Sequence, residues 1–217
     1  SLLGTTWTRD EIISSDFGFD LLTSNYDSSV NRTASVDHLQ VRIYYAISAS
    51  TVLVGQDIEV ANYYIFRPFL KFDTSIINTK AKIDSVKLQL TAIADSSTGD
   101  LDVQIVNQNW AAQDPITTGN MEVAYDGCLA GTAESNIWRN TSGMALNTPY
   151  QSGELSTTGV TKGGTTYYSL RSSKDYANTT PTTPEYIQIA KETHATAAYR
   201  PTLIVIYRDP TPQIMII

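Results

Sequence analysis

The chain has 217 residues and a formal net charge of −7, and 17% of its residues are charged. The length fits one large all-β domain or two small ones, and the low charge implies a surface covered largely by Ser, Thr, Asn and Gln, since about a quarter of residues are charged in an average domain. The lack of a basic run argues against nucleic-acid binding. A single cysteine excludes an intramolecular disulfide and a cysteine-based zinc site. No apolar run approaches the ~20 residues of a membrane span.

The chain begins with a segment that lacks the basic start and the long apolar stretch of a signal peptide. We interpret residues 1–20 as a candidate docking arm. Further along, apolar and polar residues alternate with period two, which is the pattern of half-buried strands. The alternating runs predict strands near residues 39–46, 51–55, 58–65, 86–93, 100–107, 165–171, 185–190 and 201–208.

The segment FRPFLKFDTS, residues 66–75, alternates in the same way but carries charges. The face predicted to contribute to the core consists of Phe66, Pro68, Leu70 and Phe72. Pro68 cannot donate a hydrogen bond to a neighbouring strand, so this part of the segment is expected at a sheet edge or a bulge. Asp73 is expected to accept hydrogen bonds from the turn that follows, and Arg67 to lie along the sheet with its aliphatic stem packed.

Polar turns separate the predicted strands. Residues 94–100 are expected to connect a hairpin, and residues 161–166 and 178–184 are expected to form loops. Helical periodicity is nearly absent. Many short strands joined by polar turns predict an all-β, jelly-roll-like antiparallel β-sandwich of about ten to twelve strands, forming a single domain over residues 1–217.

Residues 110–160 are the least regular part of the sequence and are predicted to form a long, loop-rich insertion, which is often where function lies. Tyr and Trp side chains suit both sugar stacking and protein interfaces. The candidates for an exposed contact surface are Trp110, Trp138, Tyr167, Tyr168 and Tyr176. Packing of these rings in the core or over a sheet edge is the alternative interpretation.

Catalytic constellations are not evident. The two histidines, His38 and His194, are not accompanied by a G-x-S-x-G elbow. None of the aspartates lies in a context typical of paired-carboxylate glycoside hydrolysis. The sequence therefore predicts that the protein is not an enzyme.

A calcium site is one interpretation of the segment DSSTGDLD, because calcium binds six to eight oxygen ligands that Asp-rich loops often supply. Asp95, Asp100 and Asp102 are the candidate ligands. The segment lacks the EF-hand pattern, and a plain hairpin turn is the alternative.

The C-terminus, DPTPQIMII, has two prolines that end the last strand, followed by an apolar tail over residues 209–217. This tail either folds back on its own domain or adds a strand to a neighbouring subunit. The residues assigned to assembly are Ile214, Met215, Ile216 and Ile217.

The stretch NYYIFRPFLKFDTSIINTKAKIDSVKLQLTAI, residues 62–93, resembles the signature of DNRLRE-type, carbohydrate-binding-module-like β-sandwich domains. The resemblance covers about residues 60–208. Its matching positions are Arg67, Leu70, Phe72, Asp73, Ala81, Ile83, Val86, Leu88 and Leu90. Similar sequences occur in tailed-phage and environmental viral genomes. The resemblance implies a non-catalytic jelly roll that adheres, binds polysaccharide or builds a structure.

Together these observations predict a non-enzymatic structural or adhesive protein of a virion surface: a capsid decoration, fibre or tail component. Its expected partners are copies of itself or a capsid or tail lattice, and polysaccharide in addition. No cofactor is expected apart from the calcium considered above. The alternative is a carbohydrate-binding module of an extracellular or cell-surface protein.

Overall fold

A computed structural model describes residues 51–59 and 62–208. The predicted strand at 39–46, the arm at 1–20, His38 and the tail at 209–217 lie outside the described residues. The strands are β1 (Thr51–Glu59), β2 (Asn62–Phe66), β3 (Phe69–Asp73), β4 (Lys82–Asp95), β5 (Asp102–Asn107), β6 (Thr132–Asn140), β7 (Thr148–Gln151), β8 (Thr165–Ser172), β9 (Glu185–Ala190) and β10 (Thr202–Arg208). The α-helices are α1 (Met121–Ala130) and α2 (Ser173–Tyr176), and three short 3₁₀ turns cover Ala111–Gln113, Thr157–Gly159 and Ala197–Tyr199.

The strands form two antiparallel sheets. One is six-stranded, with the order β10-β4-β9-β1-β2 and with β7 paired to β4, and the other is four-stranded, with the order β3-β8-β5-β6. The long strand β4 pairs with β10 along its first half and with β9 at its end. The prediction of an all-β antiparallel sandwich is therefore confirmed, while the jelly-roll connectivity and the single domain over the whole chain stay predictions.

The hydrophobic core lies between the two sheets. Its members on the six-stranded sheet are Val54, Val86, Leu88, Leu90, Ala92, Ile187 and Ile189, and those on the four-stranded sheet are Leu70, Val103, Ile105, Trp138, Tyr168 and Leu170. Period-two alternation places these side chains on the inner faces, because successive residues of a strand point to opposite sides of the sheet. The alternation read from the sequence in β4 and β5 therefore identifies the inward residues correctly.

The predicted strand at residues 66–73 is broken in two. Phe66 ends β2 in the six-stranded sheet and Phe69 begins β3 in the four-stranded sheet, so Arg67 and Pro68 form the crossing between the sheets. Pro68 lacks an N–H donor, but its carbonyl accepts a hydrogen bond from the Leu170 amide at 2.9 Å. Pro68 therefore ends the strand at a position where no neighbouring strand requires a backbone N–H as a hydrogen-bond donor.

The region 110–160 contains more regular structure than the sequence analysis predicts. It contains α1, β6 and β7, and α1 lies on the outer side of the four-stranded sheet through contacts with β8. Met121, Ala124, Tyr125 and Cys128 follow the i, i+3, i+4, i+7 spacing of an amphipathic helix. The prediction of a loop-rich insertion is therefore wrong, because even a short apolar stripe forms a helix when it packs against a sheet.

Candidate functional site

The outer face of the four-stranded sheet is covered by α1 through buried polar contacts rather than through an apolar layer. Ser169 Oγ donates to Gln108 Oε1 at 2.7 Å, and Gln108 Nε2 donates to the Ala124 carbonyl at 2.7 Å. A Cβ added at Gly127 would lie 2.7 Å from Gln108 Nε2, so a larger residue at this helix position would have to displace the Gln108 amide. The helix is therefore positioned by hydrogen bonds with defined directions.

Arg67, at the crossing between the sheets, forms a buried ion pair with Asp175 of α2. Nε donates to Oδ2 at 2.8 Å, and Nη2 donates to Oδ1 at 2.7 Å. The third guanidinium nitrogen, Nη1, donates to the Tyr125 carbonyl at 3.1 Å, and the guanidinium carbon lies 4.1 Å from the centre of the Tyr125 ring. One arginine thereby joins α1, α2 and the crossing.

Tyr125 completes this junction. Its hydroxyl donates to the Ile65 carbonyl on β2 at 2.9 Å, and burial raises the pKa of Tyr125 to about 12. The phenol is therefore protonated at neutral pH and acts as a hydrogen-bond donor that attaches the helix to the neighbouring sheet.

Cys128 lies on the buried side of α1, and its sulfur is 3.1 Å from Ser169 Oγ. Burial raises the pKa of the Cys128 thiol, so the reactive thiolate is disfavoured at neutral pH. The histidine within the described part of the chain is His194, which lies in an exposed turn. The arrangement supports packing of the helix and does not supply an activated nucleophile.

The surface above this junction carries exposed apolar side chains. Arg171 donates to the Leu129 carbonyl at 3.4 Å and stacks on the Tyr176 ring at 4.6 Å. Tyr176 is 63% exposed, Leu129 49% and Val123 61%. We call Leu129 and Tyr176, which Arg171 joins, the helix face, and Val123 is a further exposed residue of α1. Tyr176, a candidate from the sequence, thus has the exposure that a contact residue needs.

Trp110 does not form an exposed contact surface. It is 4% exposed, its Nε1 donates to the Tyr168 carbonyl at 3.1 Å, and its ring packs edge-on against Phe69 and Tyr167. Tyr167 is half-buried, and its hydroxyl donates to Asp114 at 3.2 Å beside Lys71. Tyr168 is fully buried in the core. The prediction of exposure is therefore wrong for Trp110, which packs against Phe69 and Tyr167, and for Tyr168, which belongs to the core.

Trp138 is also buried, at 4% exposure, and belongs to the core between the sheets. Its Nε1 donates to the Tyr150 carbonyl at 2.9 Å, and Arg139 stacks on the outer face of the Tyr150 ring at 3.7 Å. The prediction of an exposed Trp138 is wrong, because β6 directs this side chain inward.

The three aspartates proposed as calcium ligands do not converge. Asp95 Oδ1 accepts from the amide and the hydroxyl of Ser97, as in an Asx turn, and Asp102 Oδ1 accepts from Asn140 Nδ2 at 2.7 Å. Residues 51–59 and 62–208 contain no group of three or more His, Cys, Asp and Glu side chains able to hold a metal ion. A calcium site built from Asp95, Asp100 and Asp102 is therefore not formed. The hairpin expected at residues 94–100 is also wrong, because this loop connects β4 of one sheet to β5 of the other.

A basic cleft lies at the start of β4. It has a volume of about 500 Å³ and is lined by Lys80, Ala81, Lys82, Ile83, Thr157, Thr158, Val160 and Lys162. Lys162 Nζ donates to the Ala81 carbonyl at 2.9 Å, which holds that side chain across the cleft wall. The cleft is not evident from the sequence, because Lys162 comes from a turn far along the chain from Lys80 and Lys82.

Comparison with known proteins found no match among protein-family models and none among curated proteins. The helices of the described segments include none with the length and hydropathy needed to span a bilayer.

Proposed function

We propose that this protein is a non-enzymatic structural or adhesive component of a virion surface that acts through contacts with other protein subunits. The observation that carries the proposal is the helix face, Leu129 and Tyr176. Exposed aromatic and aliphatic side chains in one region are typical of protein interfaces. The buried Arg67–Asp175 pair beneath this face fixes α1 against the sandwich, so the surface is presented by a rigid support.

The chemistry of the buried groups supports a non-catalytic assignment. Asp175 is bound by the guanidinium of Arg67, and the thiol of Cys128 is shielded and protonated. The proposal also agrees with the uncharged polar surface, the apolar tail and the resemblance to DNRLRE-type domains described above. A jelly-roll connectivity of the strands is part of the same proposal.

The test is the concentration dependence of mass by light scattering, for the native chain and two variants. Leu129→Ser with Tyr176→Ser removes apolar surface from the helix face. Ile76→Ser with Ile206→Ser removes exposed apolar surface elsewhere and is the matched control. We expect the native chain and the control to assemble and the helix-face variant to remain monomeric. A native chain that is monomeric at every concentration contradicts the proposal.

A carbohydrate-binding module is the second candidate, and the basic cleft favours it. Three lysines and two threonine hydroxyls surround an apolar floor of Ala81, Ile83 and Val160. Such a lining suits a saccharide that carries negative charge, because the floor contacts C–H groups while lysines pair with the anion. A glycan array with and without calcium tests this candidate, and an array without any bound glycan would count against it.

A further inference from the structure

The hydrophobic core has a polar end where β1 pairs with β9. The inward side chains of these strands meet in register, with Val52 opposite Ile189 and Val54 opposite Ile187. The next inward pair continues the row but is polar, with Gln56 opposite Glu185. Side chains of directly opposed residues lie on the same face of an antiparallel pair, with Cβ atoms about 4.5–5.5 Å apart. The amide and the carboxylate therefore lie side by side.

Two oxygen atoms of this pair lack a hydrogen-bond donor. Gln56 is 1% exposed, yet its Oε1 accepts no hydrogen bond, and the buried Oε2 of Glu185 accepts none either. The ion pairs among residues 51–59 and 62–208 do not include Glu185. A buried acceptor oxygen without a donor is costly, because burial removes the water that would otherwise bind it. Two adjacent buried acceptors indicate a positively charged ligand between them.

Further oxygens surround the same carboxylate. The hydroxyl groups of Thr98 and Thr183 lie 2.7 Å apart, and each lies within hydrogen-bond distance of Glu185 Oε1, at 3.0 and 3.3 Å. The loop between β4 and β5 passes over the Glu185 carboxylate, since a Cβ on Gly99 would lie 3.6 and 3.8 Å from its two oxygens. On the other side, Gly55 brings β1 so close that a Cβ there would lie 2.2 Å from the Glu185 carbonyl oxygen.

We propose that this polar end of the core is a calcium site in which Glu185 and Gln56 supply the principal ligands. The available donors are carboxylate, amide and hydroxyl oxygens, which suit a hard cation. Zinc is disfavoured because no histidine or cysteine contributes to the group. Calcium is favoured over magnesium because it accepts irregular sets of neutral oxygens, whereas magnesium requires a near-octahedral arrangement.

This site differs from the one predicted from the aspartates, although it uses the same loop. Thr98 and Gly99 belong to the segment DSSTGDLD, for which calcium is one interpretation of the sequence, but the carboxylate comes from β9 instead. With a single carboxylate, the affinity is expected in the range of weak extracellular calcium modules, with a Kd of about 10⁻⁴–10⁻³ M.

The experiment is a titration of the full-length protein, stripped with EDTA, with CaCl₂ and separately with MgCl₂ at equal ionic strength. Isothermal titration calorimetry gives Kd, and thermal unfolding gives Tm. At a calcium concentration about 100 times Kd, binding to the native state is expected to raise Tm by about 5–10 °C. Magnesium is expected to give a much smaller rise.

Variants locate the ion. Glu185→Gln is expected to weaken calcium binding at least about tenfold, because it removes the charged ligand, while Glu154→Gln, which alters an exposed carboxylate, is the matched control. Thr98→Val, a milder change at the loop, is expected to weaken calcium binding severalfold. It takes the place of Glu185→Gln in the test if that variant does not fold. A combined Asp95→Asn, Asp100→Asn and Asp102→Asn variant is expected to bind calcium as the native protein does.

The competing arrangement turns the Gln56 amide over, so that its NH₂ group donates directly to Glu185. That arrangement predicts no saturable calcium binding and no calcium-dependent rise in Tm. Either of these results overturns the proposal, as does a Kd that Glu185→Gln and Thr98→Val leave unchanged.

Discussion

Replacement of Asp175 by asparagine tests whether the Arg67–Asp175 pair holds the outer helices to the sandwich. The side chains of Arg67 and Asp175 are 4% and 3% exposed, and two hydrogen bonds of 2.7 and 2.8 Å join them. Asparagine keeps the size and one acceptor oxygen of the native side chain. Its NH₂ group, however, faces a guanidinium N–H, and the buried arginine charge loses its counter-charge.

The expected magnitude follows from this burial. Removing one partner of a buried pair typically costs about 3–5 kcal/mol, because the remaining charge is left desolvated and uncompensated. For a chain of this size, each kcal/mol lowers Tm by about 2–4 °C, so Tm is expected to fall by about 6–20 °C. The contacts of Arg67 with Tyr125 keep part of the junction in place and favour the lower end of this range.

Urea denaturation followed by circular dichroism measures the free energy of unfolding. The matched control is Asp114→Asn, which breaks the exposed pair with Lys71 and is expected to leave the midpoint almost unchanged. Arg67→Met combined with Asp175→Leu removes both charges and is expected to recover much of the loss. A loss below about 1 kcal/mol for Asp175→Asn would refute the assignment of this pair to the framework.

Three further predictions concern single groups. Cys128 is expected to react slowly with a thiol reagent in the native protein and completely in urea, because burial raises the pKa of its thiol; fast native labelling would contradict the buried position. The hydrogen bond from Arg208 lowers the pKa of Asp84, so its contribution to stability is present above about pH 4 and is lost as the pH falls through the lowered pKa. The urea midpoint is therefore expected to fall below about pH 4, and to fall less in Asp84→Asn. Trp138→Ala is expected to cost about 3–5 kcal/mol in the same denaturation assay, and a loss below 1 kcal/mol would argue against its place in the core.

The sandwich could be predicted because strand alternation is a local signal. In β4, Val86, Leu88 and Leu90 face the core as their spacing indicates, since the side-chain period of two is set by the backbone of the strand itself. The turn prediction at Asp73 is also confirmed, because its Oδ1 accepts from the Ser75 amide at 2.9 Å, two residues away. Features decided within a few residues are accessible from the sequence alone.

The functional candidates could not be predicted with the same success, because burial is decided by distant parts of the chain. Trp110 and Trp138 lie in the segment that looks least regular, but both are covered by residues far away in sequence or by the opposite sheet. The partner of Arg67 is 108 residues distant. Likewise, nothing near Gln56 in sequence indicates that Glu185 lies beside it. Such pairs become visible only when the strand register is known.

The position of Arg67 links stability to the proposed function. The residue lies where the chain crosses between sheets, and its guanidinium holds both α1, which carries Val123 and Leu129, and α2, which carries Tyr176. A change at this buried junction should therefore alter the helix face without touching it. If assembly uses that face, Asp175→Asn should weaken self-association at temperatures where the sandwich is still folded. Unchanged assembly of the folded variant would separate the framework from the contact surface and place the interface elsewhere on the protein.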